Sequence, residues 1–245
     1  MKIKIIISLF MLLLVFSCKT EQKKEKNAEA IEVIKEMQKG FKPLDLKVAC
    51  ERTVKLNETK FCLPLIDGMK ETYTLSNVKV SIDKLLPKGS IALGYYLNNK
   101  TYENVNKLNE IEYDDYLLVF STELLIKDEI SRKTYIDLSN FEEVYKFDWK
   151  NQKDKIEKLL KTVTVGKPAI FEKYNLSENV TTIITLNKYI TNNSEVVKIT
   201  IGNTFYLKNK MFITSYNYDY NGISSIRKAK EKNDYMAIRF LNENE

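Results

Sequence analysis

Histidine is absent from all 245 residues, which removes the commonest general base, the Ser-His and Cys-His nucleophile pairs and the commonest zinc ligand. Seven glycines are few, and none of them builds a phosphate-cradling glycine-rich loop. Carboxylates remain. Asp114-Asp115 and Glu142-Glu143 are adjacent pairs, but strand neighbours point to opposite faces and helix neighbours lie about 100° apart, so neither pair makes a dyad by itself. A glycosidase needs two carboxylates about 5–10 Å apart across a sugar cleft; the plainer reading is solvated surface charge. Asp67-Gly68 and Asp219-Tyr220-Asn221-Gly222 lack the rest of a calcium loop and read as turns. No catalytic residue, metal site or cofactor is expected.

Cys50 and Cys62 are twelve residues apart, in strand-like segments Lys47 to Leu56 and Lys60 to Ile66 on either side of the turn-prone Asn57-Glu58-Thr59. A hairpin centred near Leu56 sets the two cysteines opposite each other, within reach of a disulfide that would stabilise by about 3 kcal/mol. The alternative is two buried free thiols. Tyr216, Tyr218 and Tyr220 alternate with Ser215, Asn217 and Asp219, so the tyrosines share one strand face. That face is either a binding surface of rigid amphipathic rings or ordinary packing beneath a helix, the second being preferred. Tyr95 and Tyr96, on opposite faces, read as packing.

The N-terminus carries an address. Lys2 and Lys4 precede an apolar run from Ile5 to Phe16 in which only Ser8 is polar, and Ser17-Cys18 opens onto the charged segment Lys19 to Lys26. A basic start and about a dozen apolar residues make a secretory signal, too short for a stable membrane span. Leu14-Val15-Phe16-Ser17-Cys18 resembles a bacterial lipobox, in which a small residue precedes a cysteine that is lipidated and becomes the mature N-terminus. The resemblance implies lipidation at Cys18 and attachment to a bacterial envelope membrane through that lipid. Lys19 after the acceptor fits the outer membrane by the rule for such lipoproteins. Export to an oxidising envelope favours the disulfide between Cys50 and Cys62. Loss of residues 1–17 leaves 228 residues and lowers the net charge from +6 to +4. The basic run Lys19 to Lys26 is interrupted by Glu21 and Glu25 and reads as a solvated tether. No basic stripe marks a folded face, so nucleic acid is not an expected partner.

The expected organisation is a signal peptide at 1–17, a flexible tether at 18–27 and a single globular domain at 28–245 that begins with a helix through Ala30, Val33, Ile34, Met37 and Phe41. A second helix is predicted from Asn151 to Val163, a short one from Thr101 to Glu110, and a helical turn over Ser139 to Lys146. Strands are predicted at Ser90–Leu97, Tyr116–Ser121, Ala169–Lys173, Val180–Tyr189, Val196–Leu207 and Met211–Tyr220, with a tight turn at Lys208-Asn209-Lys210. Ile223 to Leu241 reads as a closing helix with a kink or break at its polar centre, Lys230 to Asn233. Short turns between strands argue for antiparallel pairing, hence an α+β fold: a central antiparallel sheet covered by helices on both faces.

Two segments carry a further resemblance. Phe61-Cys62-Leu63-Pro64-Leu65-Ile66-Asp67-Gly68-Met69 and the closing run from Asn203 to Tyr220 with its following helix are similar to the opening strand and terminal hairpin of the MOG1/PsbP/DcrB-like superfamily. The resemblance covers residues 44–243 and implies a layered sandwich that acts as a binding or assembly module. The expected function is a non-catalytic module that binds a protein or a small ligand in the envelope. Two alternatives stand beside it. One is a histidine-free, carboxylate-based enzyme acting on envelope polysaccharide. The other is an assembly subunit that exposes Tyr216, Tyr218 and Tyr220 to its partner.

Overall fold

The computed structural model describes residues 50–105, 115–139, 163–191 and 194–245, all within one compact unit bounded by Lys47 and Glu245. The expected signal, tether and first helix, the Asn151 helix up to its last residue, the Ser139 turn beyond its first residue, and the carboxylates Asp114, Glu142 and Glu143 lie outside the described residues; Val163, the last residue of that expected helix, lies in a strand instead.

β1 (Cys50–Leu56) and β2 (Thr59–Pro64) form a separate antiparallel hairpin. The second sheet contains β3 (Met69–Glu71), β4 (Ser90–Asn98), β5 (Asp115–Thr122), β6 (Val163–Val165), β7 (Ala169–Ser177), β8 (Val180–Thr191), β9 (Glu195–Leu207) and β10 (Lys210–Asp219). Its order is β3-β4-β5-β10-β9-β8-β6, with β7 on the same edge of β8 as β6. Every pairing described is antiparallel. The helices are α1 (Ser76–Leu85), α2 (Asn99–Asn104), α3 (Glu123–Lys127), α4 (Arg132–Ser139) and α5 (Ile223–Asn242). The fold is α+β and mostly antiparallel sheet.

Period-two sequence explains the central strands. Ile199, Ile201 and Phe205 of β9 pair with Leu186, Ile184 and Val180 of β8, and these residues enter one core with Ile226, Ala229, Met236, Ala237 and Phe240 of α5. Leu56, Phe61 and Leu63 of the hairpin join the same core. In β5 the alternation splits the strand: Leu117 and Val119 belong to that core, while Tyr116, Leu118 and Phe120 pack with Val78 and Ile82 of α1. The turn between β9 and β10 holds Lys208 and Asn209 at φ of 51° and 58°, the doubly left-handed geometry that matches the twist of a two-residue hairpin.

Two expectations change in detail. The β1–β2 turn at Asn57 and Glu58 pairs Leu56 with Thr59, so Cys62 lies opposite Thr53 and Cys50 opposite Pro64. A register shift between Cys50 and Arg52 bends the strand and brings the two cysteines to disulfide distance, with Cα atoms 5.4 Å apart. The closing helix is also unbroken: α5 runs twenty residues through Lys230 to Asn233, because part of that polar centre turns inward.

Candidate functional site

β3, β4, β5 and β10 are successive antiparallel neighbours. The start of β3, the end of β4, the start of β5 and the end of β10 therefore meet at one end of the sheet. Gly68, Asn98, Asn99, Lys100, Asp115, Tyr218, Asp219 and Asn221 converge there around a cleft of about 450 Å³. Gly68 sits at φ 75°, where its missing side chain is required, and its carbonyl accepts the Asn99 N–H at 3.1 Å. Asn98 caps α2 by accepting from the Thr101 N–H at 2.9 Å, and its amide donates to the Asp115 carbonyl at 3.2 Å. Register puts Asp115 directly opposite Tyr218.

Both carboxylates of the cleft have lysine partners. Lys232 of α5 donates to Asp115 Oδ2 at 2.7 Å, and Lys198 of β9 pairs with Asp219. Asp115 Oδ1 is buried, and among the described residues no donor reaches it. The three alternating tyrosines do share a face, and they divide by depth. Tyr216 is fully buried in the α5 core, whereas Tyr218 and Tyr220 pack against it half-buried, and Tyr218 lines the cleft. The Tyr216 and Tyr218 rings lie 6.1 Å apart, with the Lys232 ammonium 5.7 Å from the Tyr216 ring.

No family model, curated protein or solved structure matches this chain. What the cleft can do is therefore decided by its own side chains. Amide, hydroxyl and carboxylate groups dominate the lining, and they offer many hydrogen-bond donors and acceptors. The paired lysines cancel the charge of Asp115 and Asp219. Among the described residues no group of three or more His, Cys, Asp or Glu is placed to hold a metal ion. None of their helices is long and apolar enough to cross a membrane.

A second polar cluster lies between α5 and the sheet. Asn203 of β9 donates to Thr214 at 2.8 Å and to Asn233 at 2.7 Å, and accepts from Thr182 at 2.8 Å and Asn233 at 3.1 Å. Asn233 also donates to Asp234 Oδ1 at 3.2 Å, and the Tyr174 hydroxyl donates to the same oxygen. Lys230 ties the rim to β7 through Glu172 at 2.6 Å and stands 4.1 Å over the Tyr174 ring. Asn203 and Asn233 are buried, so each bond made here avoids the desolvation cost of an unpaired amide. The cluster fixes the rotation of α5 on the sheet.

Burial raises the Asp234 carboxyl above its ordinary value of 3.8, partly offset by the bonds from Tyr174 and Asn233. Burial, then the neighbouring Asp234 charge, pushes the Tyr174 hydroxyl far up. A raised carboxylate binds more protons in the folded than in the unfolded chain, so its contribution to stability is present at acid pH and falls as pH rises from 3.8 through the raised value. Asp234→Asn keeps an oxygen acceptor for Tyr174 but cannot ionise. Its stability relative to the unaltered protein should rise between pH 4 and pH 7.5 in urea unfolding. A difference that stays constant with pH would show that Asp234 does not titrate as its burial requires.

Proposed function

We propose that this chain is a lipoprotein anchored at Cys18 to a bacterial envelope membrane, the outer membrane by its Lys19, and that its domain is a non-catalytic module binding a protein or a small ligand. The observation that carries the reading is the N-terminal pattern: Lys2 and Lys4, an apolar run of lipoprotein-signal length, and Ser17-Cys18 before a polar tether. The disulfide-distance pair Cys50 and Cys62 supports export. Apolar contacts on both faces of β5 support a layered MOG1/PsbP-like sandwich. The lysine partners of Asp115 and Asp219 support binding over carboxylate chemistry.

Palmitate labelling in the native cell tests the anchor. The expected result is a labelled, membrane-bound protein and an unlabelled Cys18→Ala variant; equal membrane retention of the two without label would overturn the anchor. Affinity purification from mildly solubilised membranes tests the module, with a stoichiometric companion or co-purifying small molecule expected. Substrate turnover by the purified protein would overturn the non-catalytic reading.

A further inference from the structure

We propose that the cleft at the β3-β4-β5-β10 end of the sheet is a saccharide site, taking a neutral or singly acidic sugar unit. The inference rests on the binding-module reading and names its ligand class. Three observations converge on it, the first being the lining itself. Asn98, Asn99 and Asn221 carry side-chain amides, Asp115 and Asp219 carboxylates, and Tyr218 a ring with a hydroxyl. An amide presents donors and an acceptor side by side, and a carboxylate presents two acceptors. Such groups match vicinal hydroxyls, each of which both donates and accepts. A lipid or an aromatic ligand would require an apolar wall, and among the described residues this cleft has one only at Tyr218.

Charge supplies the second argument. Asp115 and Asp219 are each matched by a lysine, Lys232 and Lys198, so a cationic ligand would compete with ammonium groups already in place. Among the described residues a phosphate would face two carboxylates with only the exposed Lys100 added. A neutral polyol meets neither obstacle, and Lys100 can take one sugar acid. Third, the volume of about 450 Å³ falls in the small-molecule range of roughly 300–1,000 Å³.

The test is saturation-transfer difference NMR on the full-length protein in detergent, with maltose, N,N′-diacetylchitobiose and digalacturonate as probes and with putrescine and inorganic phosphate as controls. At least one saccharide should give a saturable signal. Asn99→Ala combined with Asn221→Ala removes two exposed amides whose side chains hold nothing else among the described residues, and it should weaken that binding at least tenfold while leaving the melting temperature unchanged. Tyr218→Phe, which keeps the ring, should fold and retain most of the affinity. Silence from all three saccharides, binding of putrescine or phosphate in their place, or unchanged affinity in the double variant would overturn the assignment. The two readings fail separately. A protein companion that co-purifies with the chain while no saccharide binds leaves the module standing and removes the sugar. Slow hydrolysis of a bound saccharide keeps the sugar and removes the non-catalytic module.

Discussion

Glu71→Ala will destabilise the protein by about 3–5 kcal/mol, the loss expected when one partner of a buried ion pair is removed. The Glu71 side chain is only 3% exposed. Its Oε2 accepts from Arg52 Nε at 2.8 Å, and its Oε1 from the second Arg52 nitrogen at 3.1 Å. The same Oε1 accepts the backbone N–H of Tyr73 at 3.0 Å and of Tyr95 at 3.1 Å. Arg52 in turn donates to the Leu93 carbonyl. One carboxylate therefore fastens the β1–β2 hairpin to β3 and to the register shift of β4 at Ala92 and Gly94. Approach is so close that a side chain at Gly94 would put its Cβ 2.8 Å from Leu63 Cδ1. Isolated buried ion pairs can often be exchanged for apolar residues at no loss, but this one also serves two backbone amides. Arg52→Met with Glu71→Met should therefore still lose about 1–3 kcal/mol for each amide left without an acceptor. Urea unfolding measures both. A single-variant loss below about 1 kcal/mol would mean that the hairpin is not held in this way.

Much of the sheet is legible before any coordinates, for a physical reason. At Val197, Ile199 and Ile201, and again at Tyr216, Tyr218 and Tyr220, apolar residues recur every second position against polar ones, and tight turns such as Lys208-Asn209 punctuate the strands. β4 and β5 stand out as apolar runs buried on both sides. α1 and α4 leave little trace, since α1 buries only Val78 and Ile82 and has no side-chain cap, and α4 buries Tyr135 and Ser139. The expected kink in α5 arises because periodicity counts apolar residues alone. Asn233 and Asp234 are core positions in polar form, satisfied by Asn203 and Tyr174 from strands that are distant in sequence.

The cleft was hidden for the same reason. Its asparagines, at 98, 99 and 221, each sit beside a strand end and look like turn residues. Only the strand order brings those ends together, because β10 inserts beside β5 and not at the edge of the sheet. Tyr218 was legible as one of three tyrosines on a face, but alternation alone does not distinguish Tyr216 under α5 from Tyr218 at the rim.

Phe240→Ala should cost about 3–5 kcal/mol as well, by a different mechanism. The Phe240 ring is 1% exposed. Its centroid lies 5.8 Å from Phe205, 6.1 Å from Phe212 and 6.3 Å from Tyr96, so it touches β4, β9 and β10 at once. Phe205 and Phe212 are already stacked at 4.6 Å, and Phe61 of the hairpin packs edge-on to Phe212 at 5.6 Å. Rings so placed cannot slide far into a vacated space. Nor can the helix follow. Asn244 exchanges hydrogen bonds of 2.7 and 2.9 Å with both backbone groups of Cys62 and donates to the Phe240 carbonyl at 2.8 Å, pinning the end of α5 to β2. With collapse blocked, the loss belongs at the upper end of the range, and excess benzene should raise the melting temperature of the variant but not of the unaltered protein by filling the cavity. Failure of both effects would mean that α5 repacks freely. If α5 is held as described, its pinned end also fixes Lys232, eight residues or about 12 Å along the helix, and with it the charge balance of Asp115 in the cleft.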